Sequence, residues 1–371
     1  MHFNYIPIKH DIDKLQEYLD FLFFDIWLNA KGDFNSHLLK ANDDLFNIYE
    51  VLEIQDSDWG NFFTARIASI HKEFANIDDD DFKTKLKESY IANNNIEGLC
   101  NDKRIIPITY QDIDSVYPSL SKALKDFYSK LYGSTSPFNL KAFGFLNEKL
   151  LPDYDKEFMI INDREICPFC GIHFLKGNNH TYREAYDHFI PKGIYPFNAI
   201  NFKNLAPMCH ECNSTYKLTK KPIYKNDENN INPIKREKTR NLSFYPYSTE
   251  KIQLNFNLKL KTGSIDKLTP KDIELVIESE NKNEQVESWN RIFGLEERYK
   301  ALLCSPSAGK DWFNSIMDEY QNAKELSDIV EADQYYNVIL KDAKKNLFSG
   351  QGFIKSVFLE ECKNKGLFKN I

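Results

Sequence analysis

The sequence predicts an α+β protein, with mainly helical arms around a small cysteine-rich core and a small antiparallel sheet on the C-terminal side of that core. Three observations predict it. Apolar residues recur at three- and four-residue steps through both flanks, the spacing of one buried helical face. Cysteine, histidine, proline, glycine and asparagine crowd into residues 160–225, where that periodicity fades. Apolar and polar residues alternate at 252–260 and again at 273–277, as in half-buried strands. The expected division is a helical region over 1–155, the cysteine-rich core over 160–225, and a β-hairpin with further helices over 240–371.

From His10 to about Leu150 the chain reads mostly as helix. Leu15, Leu19, Leu22 and Ile26 form one stripe, which Trp27 widens. Asp78 to Asp81 reads as a solvated loop rather than a metal site, because consecutive carboxylates point in different directions. Ser119 to Leu131 carries a second stripe of Leu120, Leu124, Phe127 and Leu131, ended by Gly133 and a Ser-Thr-Ser run. Beyond the core, Asn226 to Asn232 is a polar connection. Ile252, Leu254, Phe256, Leu258 and Leu260 then alternate with polar residues, Thr262-Gly263 supplies a turn, and Ile273, Leu275 and Ile277 complete an antiparallel hairpin. Val286, Trp289, Ile292 and Phe293 mark a return to helix. Ser307 to Lys310 lacks the first glycine and the final hydroxyl residue of a phosphate loop, and reads as a helix start.

Composition excludes several functions. The 371 residues are 42% hydrophobic and 28% charged, ordinary values for a globular chain able to bury a core. With 48 Lys+Arg against 55 Asp+Glu the net charge is −7, which excludes a polybasic protein that coats nucleic acid without selection. Any surface for a polyanion must be local. Residues 203–225 offer one, with Lys203, Lys217, Lys220, Lys221 and Lys225 against Glu211 alone, a net of +4. The most apolar run, Phe21 to Phe24, is broken by Asp25 far short of the ~20 apolar residues of a membrane helix. The N-terminal stretch has no secretory pattern, so the cytoplasm is the expected location and no membrane is expected as a partner.

Seven cysteines without a secretory signal favour metal ligation over disulfides. Cys100, Cys304 and Cys362 stand alone, but Cys167 and Cys170 form one CxxC pair, and Cys209 and Cys212 another. Four thiolates suit tetrahedral zinc, and a closed four-sulfur site leaves no position for water, so the expected Zn²⁺ is structural. His173 and His180 in the gap, and His210 inside the second pair, are not needed as ligands. The gap of 38 residues exceeds that of a simple zinc ribbon. Its contents explain the length: a short strand over Tyr182 to Tyr186, then Asp187-His188-Phe189-Ile190-Pro191-Lys192, then Asn204-Leu205-Ala206-Pro207 leading to the second pair. Asn213, Tyr216, Lys217, Lys220 and Lys221 follow in a segment that can be helical until Pro222. Tyr182, Tyr195 and Phe197 are read as packing residues rather than base-stacking ones.

These residues resemble the ββα-metal motif of the HNH endonuclease family, in the subgroup braced by two zinc knuckles. The resemblance covers roughly 60 of the 371 residues and rests on Cys167, Cys170, Asp187, His188, Pro191, Asn204, Leu205, Cys209, Cys212, Asn213 and Lys217. It implies that His188 is the general base and that Asp187 and Asn213 ligate a catalytic Mg²⁺ or Mn²⁺. Asn204 would brace the long loop and orient the base. Lys217, Lys220 and Lys221 would contact nucleic acid, although three residues separate Asn213 from Lys217 where the family commonly has two. HNH proteins with long extensions resemble bacterial restriction and anti-phage effectors, some of which work with a partner ATPase, so a defence role and such a subunit are further expectations.

The chemistry is intelligible from the residue types. Hydrolysis of a phosphodiester needs a water deprotonated near neutral pH and stabilisation of charge on the phosphorane and the leaving oxygen. A histidine with an ordinary pKa near 6.5 suits the first task, provided a hydrogen bond to its other nitrogen fixes the tautomer. Adjacent residues of a strand face opposite ways, so a bend is expected to bring Asp187 and His188 to one phosphate. The expected activity is therefore a metal-dependent endonuclease, with DNA the favoured polymer and RNA left open. The alternative is a zinc-braced nucleic-acid-binding or adaptor protein without turnover.

Overall fold

The structure, a computed structural model, describes residues 1–133, 136–146, 150–226, 238–326 and 332–368. The N-terminal arm carries α1 (Lys14–Phe21), α2 (Asp43–Gln55), α3 (Asp58–Ala75), α4 (Asp80–Asn94), α5 (Ile96–Asn101), α6 (Tyr110–Asp114), α7 (Pro118–Lys130) and α8 (Leu150–Ile161). Their starts are capped as their sequences allow. The side chains of Asn42, Ser57 and Asp79 accept from backbone amides in the first turns of α2, α3 and α4, which satisfies donors that a helix cannot use internally. The run Asp78 to Asp81 is thus not the expected loop: Asp79 caps α4 and Asp80 and Asp81 sit in its first turn, where the helix dipole favours negative charge. Pro118 opens α7 at a position that needs no donor. Both predicted stripes are buried, Leu15 through Trp27 and Leu120 through Leu131, and α7 packs on α3 and α6. The Ser-Thr part of the stop signal after Gly133 lies outside the described residues.

The centre holds β1 (Tyr186–His188) paired antiparallel with β2 (Leu205–Pro207), Asp187 opposite Ala206 and His188 opposite Leu205. The predicted strand over Tyr182 to Tyr186 is displaced: pairing begins only at Tyr186, because Thr181 to Ala185 hold no partner strand and are largely exposed. Next come β3 (Tyr224–Asn226) and β4 (Lys238–Arg240), an antiparallel pair that the sequence pattern does not announce. The polar connection after Asn226 lies outside the described residues. The expected hairpin forms from β5 (Asn255–Leu260) and β6 (Ile273–Glu278), with Leu258 opposite Leu275. The C-terminal arm is α9 (Asn283–Phe293), α10 (Leu295–Cys304), α11 (Gly309–Leu326), α12 (Ala332–Lys345) and α13 (Gly352–Asn364). Gly309 starts α11, so Ser307 to Lys310 is a helix start.

One apolar core runs through all three stretches. Its polar cross-links converge on the centre. The Tyr5 hydroxyl donates to Pro207 O at 2.7 Å, that of Tyr247 to Leu205 O, and Trp289 Nε1 to Phe169 O at 2.7 Å. Residues from both arms therefore hold β2 and the first CxxC turn in place. No helix among the described residues is long and apolar enough to cross a membrane.

Candidate metal centre and adjoining histidine site

Each CxxC pair occupies a tight turn. In the first, Cys167 N donates to His173 O at 2.9 Å, and Gly171 N donates to Cys167 O at 2.8 Å. Gly171 has a φ of +65°, and a Cβ there would lie 2.6 Å from the His2 ring, so the turn needs glycine twice over. The second pair leads directly into a wide helical turn, Cys212–Lys217. The four buried sulfurs all lie within 4.8 Å of one another, and Cys170 Sγ is 3.9 Å from Cys209 Sγ. A tetrahedron with Zn–S bonds of about 2.3 Å has edges of about 3.8 Å, so the cluster fits zinc. Burial, above all, pushes the Cys167 thiol well above its ordinary pKa. A divalent cation offsets that cost by stabilising the thiolates.

Groups around the sulfurs match that role. The amides of Ile172 and Cys212 point at Cys170 Sγ and Cys209 Sγ, both at 3.5 Å. From α10, the buried Arg298 guanidinium lies 3.3 Å from Cys212 Sγ, 3.4 Å from Glu211 Oε2 and 4.5 Å above the Tyr216 ring. It supplies positive charge beside four thiolates whose sum with Zn²⁺ is negative. His173 pairs with Glu211 rather than joining the sulfurs, and His180 and His210 are exposed.

The histidine site grows from the same hairpin. Asn204, wholly buried, accepts from Ile190 N at 2.7 Å and donates to Ile190 O at 2.9 Å and Asn198 O at 3.4 Å. It thereby pins both ends of the loop from Ile190 to Asn198. The next residue, Ala199, offers its carbonyl to His188 Nε2 at 2.7 Å. A carbonyl can only accept, so Nε2 carries the proton and Nδ1 keeps a lone pair. Nδ1 has no hydrogen-bond partner among the described residues. Burial first, and Lys192 next, push the His188 pKa down to about 3 against the opposing pull of the Ala199 carbonyl. The ring is neutral at any working pH. Tyr132, just after α7, meets it edge-on at a centroid distance of 5.0 Å.

Asp187 faces the other way. Its Oδ2 is 2.6 Å from Lys217 Nζ, which also donates to His188 O at 2.9 Å. Burial raises the Asp187 pKa, and Lys217 opposes the rise. The expected bend is absent, because β1 keeps its pairing through His188 and its side chains alternate. Lys217 is also corrected. It is wholly buried and cannot contact phosphate, because it serves as the counter-ion of Asp187. Lys220 Nζ donates to Ile292 O at 3.2 Å and Lys221 Nζ lies 5.9 Å over the Tyr195 ring, so both are drawn back onto the protein.

Asn213 lies four residues before Lys217 in the same helical turn and so shares its face, and its side chain forms no hydrogen bond among the described residues. The expected Mg²⁺ or Mn²⁺ does not fit this arrangement. Such an ion needs several oxygen ligands near 2.1 Å, whereas the one carboxylate on offer already holds an ammonium. Two residues absent from the sequence-based set act on His188 directly, Tyr132 and Lys192, and Arg183 reaches Tyr132 from the other side. Of the expected packing aromatics, Tyr195 and Phe197 are buried and Tyr182 is exposed.

No family model, no curated protein and no solved structure matches the chain.

Proposed function

We propose that the chain hydrolyses phosphodiester bonds of a nucleic acid, with His188 as general base, in the manner of the HNH endonucleases it resembles. The observation that carries this reading is the single-tautomer imidazole: Ala199 O holds Nε2–H at 2.7 Å, and Asn204 holds the loop that presents Ala199. Nδ1 takes a proton from water, the hydroxide oxygen bonds to phosphorus, and the bond to the 3′-oxygen breaks, leaving a 5′-phosphate and, after protonation by solvent, a 3′-hydroxyl. Asp187 and Lys217 neutralise each other beneath β1 and steady the strand. DNA is the favoured polymer, with RNA the other candidate.

A second reading, a zinc-braced adaptor without turnover, is favoured by one specific observation, the carboxylate of Asp187 closed by Lys217. Zinc-loaded protein incubated with plasmid, single-stranded DNA and RNA, with and without added Mg²⁺ or Mn²⁺, separates the two. Cleavage that His188→Ala abolishes supports the hydrolase. Folded, zinc-loaded protein that yields no product under any condition selects the adaptor.

A further inference from the structure

We propose that Arg183, Lys192 and Tyr132 form a cradle beside His188 for one phosphate of the nucleic-acid backbone, a reading that rests on the proposed hydrolase. The two cations flank the histidine in sequence, Arg183 ahead of β1 and Lys192 just after Pro191. In space they meet at Tyr132. Lys192 Nζ lies 5.4 Å over the Tyr132 ring, whose edge-on partner is His188. The Arg183 guanidinium reaches the Tyr132 hydroxyl and covers the Tyr186 ring at 5.4 Å.

What distinguishes these cations from Lys217 is that no carboxylate is paired with them among the described residues. Neither Arg183 nor Lys192 forms an ion pair among the described residues. Lys192 uses one of its three donors, on Ser129 O at 3.3 Å, although the ammonium is half-buried. Arg183 uses Nη1 on Glu184 O at 3.3 Å and reaches the Tyr132 hydroxyl, which leaves further N–H donors of its five. By contrast Lys217 is consumed by Asp187. Two carboxylates act on Tyr132: Asp187, which Lys217 neutralises, and Asp155, which accepts from the Tyr186 hydroxyl at 2.9 Å and feels Arg183. Two positive charges against one leave a net +1 next to a neutral base, an arrangement that favours a dianionic phosphorane over its monoanionic ground state. The charge stabilisation expected from a divalent ion thus falls to side chains.

The test uses full-length zinc-loaded protein with His188→Ala, to prevent turnover, and a fluorescent single-stranded oligonucleotide followed by polarisation. Adding Arg183→Gln and Lys192→Gln together should weaken binding at least tenfold at low salt. The slope of log affinity against log salt should fall by about 0.7, the loss of one phosphate contact on a single strand. Lys259→Gln, which removes an exposed charge on β5, should leave the affinity within twofold. Unchanged affinity and slope in the double variant, with a parent that binds, overturn the cradle and leave the hydrolase standing. Should the parent bind no nucleic acid, inorganic phosphate is titrated while the ring signals of His188 in otherwise native protein are followed by NMR. Shifts lost in the Arg183→Gln/Lys192→Gln protein support the cradle alone, and no phosphate-dependent shift overturns it.

Discussion

Replacing Lys217 by Met tests the buried pair on which the reading of the site turns. Lys217 is wholly buried, and Asp187 is 9% exposed. Methionine keeps the unbranched stem but leaves the carboxylate without its ammonium at 2.6 Å and His188 O without its donor at 2.9 Å. Removing one partner of such a pair costs about 3–5 kcal/mol, because the remaining charge stays desolvated. Unfolding entropy of about 2.1 cal/mol/K per residue gives about 0.8 kcal/mol/K for a chain of this length, so the melting midpoint should drop by about 4–6 °C. The loss should depend on pH in a defined direction. Burial already raises the Asp187 pKa and Lys217 opposes it, so the variant's carboxyl sits higher still. A carboxyl raised in the folded state binds its proton more tightly there than in the unfolded chain. Its cost is therefore full above the raised value and vanishes below the ordinary carboxylate range. Differential scanning calorimetry at pH 7.5 and pH 5 should show a smaller deficit at the lower pH, and Asp187→Asn combined with Lys217→Met should recover most of the loss. A single variant that melts within about 1 °C of the parent at pH 7.5 would refute the pair as a structural element and return Asp187 to the role of a free ligand.

Four further outcomes follow from the same geometry. Purified protein should carry one zinc per chain by metal analysis, and Cys209→Ser should lose it and open residues 167–212 to proteolysis. Arg298→Met, which removes the guanidinium 3.3 Å from Cys212 Sγ, should weaken zinc by about 10–100-fold in competition with a chromophoric chelator. Since the His188 pKa lies near 3, cleavage should show no loss of base between pH 8 and pH 5, in contrast to a histidine with an ordinary pKa. A buried neutral histidine favours the folded state fully above about pH 6.5 and progressively less below it, so His188→Asn should flatten the stability profile between about pH 6.5 and pH 3.

The cysteine cluster, the helical stripes and the β5–β6 hairpin were legible because their signals are local. A CxxC spacing makes a ligand turn by itself, and a stripe such as Leu120, Leu124, Phe127 and Leu131 states which face is buried without reference to its partner. The same holds for Asn204, whose paired bonds to Ile190 close a loop of only 14 residues. Boundaries were less legible, as at β1, because pairing and not propensity decides where so short a strand begins.

What stayed hidden depends on contacts between distant parts of the chain. Nothing near Tyr132 announces that the end of α7 will meet an imidazole 56 positions later, and nothing near Arg298 announces a sulfur 86 positions earlier. Lys217 shows the limit most clearly. Charge counting placed it on a basic surface, but a lysine near a buried carboxylate lowers its energy more by neutralising that charge than by facing water. Once Lys217 turns inward, Asp187 ceases to be a free anion, and the electrostatics of the site shift to Arg183 and Lys192, which form no ion pair among the described residues. The sign of charge around His188 is thus set by which basic residues the fold consumes, a quantity that net charge along the sequence does not contain.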